Sequence, residues 1–174
     1  MVSLLLIEEF LNTVDLRTFS RHGENHVAAE HLTSPQVLTD WLVAHDLPVA
    51  EAELGPADLS ATVALRTALR QVLMGEPDGA AALADHRLGL AADPSVGLRI
   101  AARSGRPWLD AIVETVAQSA ARGDWQRVKL CAAPDCRWAF HDTSRSGRGR
   151  WCAMEICGNR HKTRIYRERH QQSR

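Results

Sequence analysis

Cys131-Ala132-Ala133-Pro134-Asp135-Cys136 and Cys152-Ala153-Met154-Glu155-Ile156-Cys157 are two cysteine pairs with the same internal spacing, fifteen residues apart. The 174-residue chain has four cysteines, and all of them lie in this stretch. Zinc favours four soft or borderline ligands in a tetrahedron, and two tight knuckles deliver two sulfurs each. The spacing therefore reads as a structural Zn2+ site made by Cys131, Cys136, Cys152 and Cys157. Four thiolates leave no open position for catalysis, so His141 and His161 read as neighbours of the metal and not as its ligands. The rival reading, two disulfides, requires an exported chain. MVSLLLIEEF does not read as an export signal: its apolar run is short, no basic residue precedes it, and Glu8 and Glu9 close it. No stretch reaches the roughly 18 apolar residues of a membrane span. The expectation is a reducing, cytoplasmic setting and no membrane partner.

The balanced net charge conceals a division. Residues 1–125 hold 9 Lys/Arg against 17 Asp/Glu, and residues 126–174 hold 12 against 4, so the two parts carry −8 and +8. Four thiolates on one Zn2+ contribute about −2, which leaves the C-terminal part clearly basic. Such asymmetry points to a polyanion as the partner of the basic part. The division reads as two domains: 1–125, helical, for sensing or dimerisation, and 126–174, the zinc module.

The acidic part reads as mainly α with a short β element. Leu4, Leu5, Ile7, Phe10, Leu11 and Val14 recur at helical spacing, which predicts a helix over Ser3–Leu16. Ser34-Pro35 opens a second, capped by Ser34 and ended by Pro48. Between them Thr18–Thr33, with Gly23, His22, His26 and His31, reads as a long polar loop. The histidine spacing matches no metal motif. Pro56–Met74 and Pro107–Arg122 read as helices stopped by Gly75 and Gly123. The alanine-rich run 78–91 reads as helical and Val96–Ala102 as a short strand. In the module, Trp125–Leu130 and Arg137–His141 read as a short hairpin, 142–150 as a flexible basic loop, and the chain from Asn159 as a terminal helix. Trp41, Trp108 and Trp125 read as core, and Trp138 and Trp151 as packing around the zinc.

The block from Cys131 to His170 resembles the CGNR zinc-finger family, named for the run found here as Cys157-Gly158-Asn159-Arg160. The likeness includes Phe140-x-Asp142-x-Ser144, the basic loop, Arg150-Trp151-Cys152, and Lys162 with the arginine-rich helix after it. Phe10-Leu11-Asn12-Thr13 and Asp40-Trp41-Leu42 resemble the helical companion domain of that family, described as a stress-induced transcription regulator. The resemblance implies a bacterial one-chain regulator with a four-cysteine zinc finger.

The residues themselves point the same way. Gly158, next to a ligand, can take positive φ and turn backbone amides toward sulfur. Asn159 reads as the cap of the last helix. Arg160, Arg164 and Arg167 fall within an arc of about 60°, with Lys162 and Arg169 opposite. One face could enter a DNA groove while the others touch phosphate. Arg145, Arg148 and Arg150, spaced by Ser and Gly, suit phosphate contact. The nucleic-acid set is thus Arg145, Arg148, Arg150, Asn159, Arg160, Lys162, Arg164, Arg167 and Arg169. In the acidic part, Asn12, Asp15 and Trp41 are the candidate lining of a pocket for a small-molecule effector; homodimerisation is the other route of input. No nucleophile–base pair or phosphate loop is present, so the chain does not read as an enzyme. The alternatives to a DNA-binding regulator are a protein-interaction adaptor that uses the zinc module and an RNA binder.

Overall fold

The computed structural model describes residues 4–21, 24–49 and 53–172. Ser3, His22 and Gly23, which figure in the sequence reading, lie outside them. Helix α1 spans Leu4–Leu11 and buries Ile7, Phe10 and Leu11. It stops short of the expected Leu16 because Asn12 and Thr13 direct their side chains elsewhere. The Thr13 hydroxyl returns to the Phe10 carbonyl at 2.8 Å, and the Asn12 amide bonds to strand backbone far along the chain. Val14–Asp15 then forms a strand, β1.

The long polar loop expected over 18–33 is instead a pair of antiparallel ladders. β1 pairs with β4 (Ala29–Glu30), and β2 (Ser20–Arg21) pairs with β3 (Glu24–Asn25) between them. Helix α2, Pro35–Ala44, opens as expected, with the Ser34 hydroxyl accepting from the Val37 amide, but ends at His45, before Pro48. Helix α3, Pro56–Met74, has the expected bounds and ends on left-handed Gly75. The Asp58 carboxylate accepts the Gly55 amide at its start.

The alanine-rich run is helical only over α4, Pro77–Leu83. Leu88–Asp93 forms β5 and pairs along its length with β6, Gly97–Ala102. Partner strand and turn override the helix preference of alanine here: the Asp93 carboxylate accepts the amides of Ser95 and Val96 and closes the hairpin. The hairpin leaves Leu90 and Leu98 exposed. Helix α5, Pro107–Arg122, ends on left-handed Gly123. A 3-10 turn, Asp124–Arg127, leads into β7, Val128–Leu130, which pairs with β8, Ala139–His141. A π-helical turn, Met154–Gly158, runs into the last helix, α6, Asn159–Gln172.

The mainly-α expectation is therefore corrected. The described fold is 51% helix and 15% strand, and four two-stranded antiparallel sheets punctuate the helices. Strands β1 to β4 are two residues each, too short to carry alternation, and only their partners define them, whereas β6, β7 and β8 fall within the strands expected over 96–102, 125–130 and 137–141.

The main core packs Ile7, Phe10 and Leu11 of α1 against Leu38, Leu65, Leu69, Trp108 and Ile112. It also includes Val128 and Ala139, which lie beyond the expected boundary at residue 125. Two buried arginines reinforce the junction. Arg66 donates to the Thr13 hydroxyl and pairs with Glu30. Arg70, one turn on, donates to the carbonyls of Leu11 and Arg137 at 2.8 and 2.7 Å. Burial, with Arg66 and Arg137 nearby, pulls the pKa of Arg70 down to about 10, so it remains charged at neutral pH.

Candidate zinc centre

Hairpin β7–β8 presents the first knuckle. The Cys131 amide donates to the Trp138 carbonyl at 2.8 Å, and the amides of Cys136 and Arg137 both turn back to the Ala133 carbonyl. The turn is completed by Arg137, at φ 53°, in the left-handed region. The second pair comes from the segment entering α6. Cys152 precedes the π-helical turn and Cys157 lies within it, its amide bonded to the Ala153 carbonyl at 2.9 Å.

The four sulfurs lie within 4.8 Å of one another. Cys136–Cys152 and Cys152–Cys157 are 3.7 and 3.8 Å apart. A tetrahedron with Zn–S of about 2.3 Å has an edge of about 3.8 Å, so the residues present fit the metal. All four thiols are free; Cys131, Cys136 and Cys157 are buried and Cys152 is half-buried. Backbone amides support them: those of Cys152 and Ala133 reach the Cys131 sulfur, and that of Trp138 reaches Cys136. Such bonds orient thiolates and moderate their charge.

The electrostatics also call for a cation. Cys136 and Cys152 donate to Cys131 and pull its thiol far below the ordinary range. The same contact pushes Cys136 up to about 12, and Cys152 is pushed up by both neighbours. One thiolate forms readily and the next are opposed. A divalent ion at the centre removes that opposition, and the cluster is a Zn2+ site. When bound, the zinc cross-links the two knuckles. His141 and His161 are outside the four-sulfur group, and His161 packs against Trp151 with ring centroids 4.8 Å apart.

Two glycines are required by close neighbours, and for Gly158 this differs from the expected role. Gly158 is helical and lacks positive φ; that conformation falls to Arg137. What Gly158 provides is room, since a Cβ there would lie 2.3 Å from the Met154 sulfur. Gly149 has the harder constraint, because its Cβ would lie 2.6 Å from Asp142 Oδ1. Asp142 is buried and organises the basic loop. Its carboxylate accepts from the amides of Ser144 (3.0 Å) and Gly149 (2.7 Å) and from Lys129 Nζ (2.6 Å). Lys129 Nζ also donates to the Gly147 and Gly149 carbonyls, and Arg127 Nη1 donates to the Asp142 and Ser144 carbonyls. The Lys129 ammonium and these donors hold the Asp142 carboxyl well below the usual carboxylate range. The loop expected to be flexible is pinned from within, while Arg145, Arg148 and Arg150 remain exposed on it.

The helix residues divide. Asn159 is not the cap: its backbone is already helical at φ −69° and ψ −39°, and its side-chain amide donates to the Glu155 carbonyl. Lys162, Arg164, Arg167 and Arg169 are exposed along α6. Arg160 is half-buried and committed. Its two terminal nitrogens fork onto the Asp135 carboxylate at 2.9 and 3.0 Å, and its guanidinium lies 3.5 Å from the Phe19 ring centroid. The arc of Arg160, Arg164 and Arg167 borders a cavity of about 550 Å³ whose opposite wall includes Ser20 and Arg21.

The side chains of Asn12, Asp15 and Trp41 are each engaged within the fold. Asn12 bonds to Ala139, Asp15 clamps Arg17, and Trp41 packs between Phe10 and His45. Glu8, which closes the apolar run of the N-terminus, accepts the His141 amide. Sequence reasoning missed Phe19, which joins the cluster of Cys131, Ala133, Cys136 and Cys157. A lone aromatic in a polar stretch was the available signal.

The fold and site define a four-cysteine zinc module whose hairpin shares the main core with the helices of the N-terminal part. Residues 127–170 match the family model described as CGNR zinc finger. No curated protein matches the chain significantly. Among the described residues no helix is long and apolar enough to cross a membrane.

Proposed function

We propose that the chain is a DNA-binding transcriptional regulator whose zinc is structural. The observation that carries this reading is a pinned loop that exposes Arg145, Arg148 and Arg150 on the same zinc-held module as Lys162, Arg164 and Arg167 of α6. Loop anchoring lowers the entropy lost when cations settle on phosphate. The contact set omits Arg160, whose guanidinium is engaged by Asp135 and Phe19. The module has no open metal position, and the chain is read as non-enzymatic and cytoplasmic. The exposed apolar face of β5–β6 favours a second reading, a protein-interaction adaptor.

The test is binding of the zinc-loaded full chain to labelled duplex DNA across a salt series. Binding should fall steeply with salt, and Arg145→Ala/Arg148→Ala should flatten the log–log slope by about one unit per lost phosphate contact. No binding at the lowest salt contradicts the reading and favours the adaptor. Preferential competition by single-stranded RNA moves the assignment to an RNA binder.

A further inference from the structure

Three consecutive residues of the N-terminal half close over the first zinc knuckle. Arg17 lays its guanidinium over the Trp138 ring, 4.2 Å from the centroid. The Thr18 amide donates to the Asp135 carbonyl at 3.0 Å. Phe19, 8% exposed, is buried against the cysteine cluster, with Ile156 and Trp151 at its margin. Arg160 then covers the Phe19 ring, forks onto Asp135, and brings Nη2 to 3.6 Å from the Cys157 sulfur. The apolar wall of the metal site is thus completed by a residue more than a hundred positions before its first ligand.

We propose that Arg17-Thr18-Phe19 is a working part of the zinc site: zinc retention depends on this segment, and zinc loading in turn fixes it. An apolar wall controls how water and competing ligands reach the thiolates, and loss of such surroundings typically weakens metal affinity about 10–100-fold. Thermodynamic linkage makes the effect reciprocal. Hairpin β2–β3 continues directly from Phe19, whose carbonyl accepts the His26 amide at 3.0 Å, and Ser20 and Arg21 wall the cavity beside α6. Zinc state is therefore transmitted to the surface of α6 through the N-terminal half. The inference rests on the zinc site alone and stands whether or not the module binds DNA.

The test measures zinc affinity of the full-length chain by competition with a chromophoric chelator. The proteins are wild type, Phe19→Ala, Phe19→Leu, Arg17→Gln, and Leu38→Ala as a control in the main core, outside the cysteine cluster. Phe19→Ala should weaken affinity about 10–100-fold, Phe19→Leu should recover much of it, and Leu38→Ala should change it less than about threefold. Equal losses in Phe19→Ala and Leu38→Ala, or none in Phe19→Ala, overturn the proposal. If Phe19→Ala does not fold, wild-type hydrogen exchange decides. Chelation should expose the Thr18 and His26 amides while the Leu65 and Leu69 amides of α3 stay protected, and unchanged protection of Thr18 contradicts the coupling.

Discussion

Asn12 and Ala139 exchange two hydrogen bonds: the Asn12 amide nitrogen donates to the Ala139 carbonyl at 2.9 Å, and the Ala139 amide donates to Asn12 Oδ1 at 2.8 Å. The side chain behaves as a one-residue strand partner for β8, and both residues are buried. It links the end of α1 to the hairpin that carries Cys131 and Cys136.

Asn12→Ala should therefore strand a buried donor and acceptor. Each such group costs about 1–3 kcal/mol, so a loss of roughly 2–6 kcal/mol is expected in urea denaturation of the zinc-loaded chain. Asn12→Asp should also destabilise, because it removes the donor and buries a charge. A change below about 0.5 kcal/mol would show that the junction is not held by this pair.

Asp142 should control loop order. In Asp142→Asn, with the Lys129 ion pair gone, amide exchange at Ser144 and Gly149 should accelerate at neutral pH while the β5–β6 amides stay as in wild type. Gly149→Ala should act similarly by forcing Asp142 aside. Unchanged exchange in both variants contradicts the pinned loop.

Arg160 and Arg164 should respond differently to lysine. Arg160→Lys loses both the fork on Asp135 and the stacking on Phe19, a cost of roughly 1 kcal/mol for a partly exposed pair. Arg164 is exposed and its Glu168 contact is 3.8 Å, so Arg164→Lys should be close to neutral in stability. Thermal melts of the zinc-loaded variants check this; equal melts for the two contradict the structural role of Arg160.

Zinc affinity should rise with pH. The cation-free cluster keeps Cys136 and Cys152 protonated at neutral pH because their pKa values are raised, and zinc must displace those protons. The logarithm of the apparent affinity should climb by more than one unit per pH unit between about pH 5 and 7. A flat profile indicates that fewer thiols bind than the geometry brings together.

Local signals made part of this legible in advance. Ser34 before Pro35, and Gly75 and Gly123 after apolar-periodic runs, marked helix ends that depend on a few neighbouring residues. The cysteine spacing marked the metal, because ligand chemistry is written in residue type. What escaped notice depends on distant partners. The bond that engages Asn12 could not be read locally because Ala139 is 127 positions away. Arg160 looked like its neighbours on the wheel because Phe19 and Asp135 are not on α6. The strands of 14–30 are two residues each, too short for alternation to register.

The most direct test of the account is metal content. Native mass spectrometry of the full chain, with Cys157→Ser beside it, should find one Zn2+ on wild type, consistent with the single four-sulfur cluster among the described residues, and loss of that zinc from the variant after brief chelation. A wild-type chain without zinc, or a Cys157→Ser chain that holds it as firmly as wild type, contradicts a four-thiolate centre.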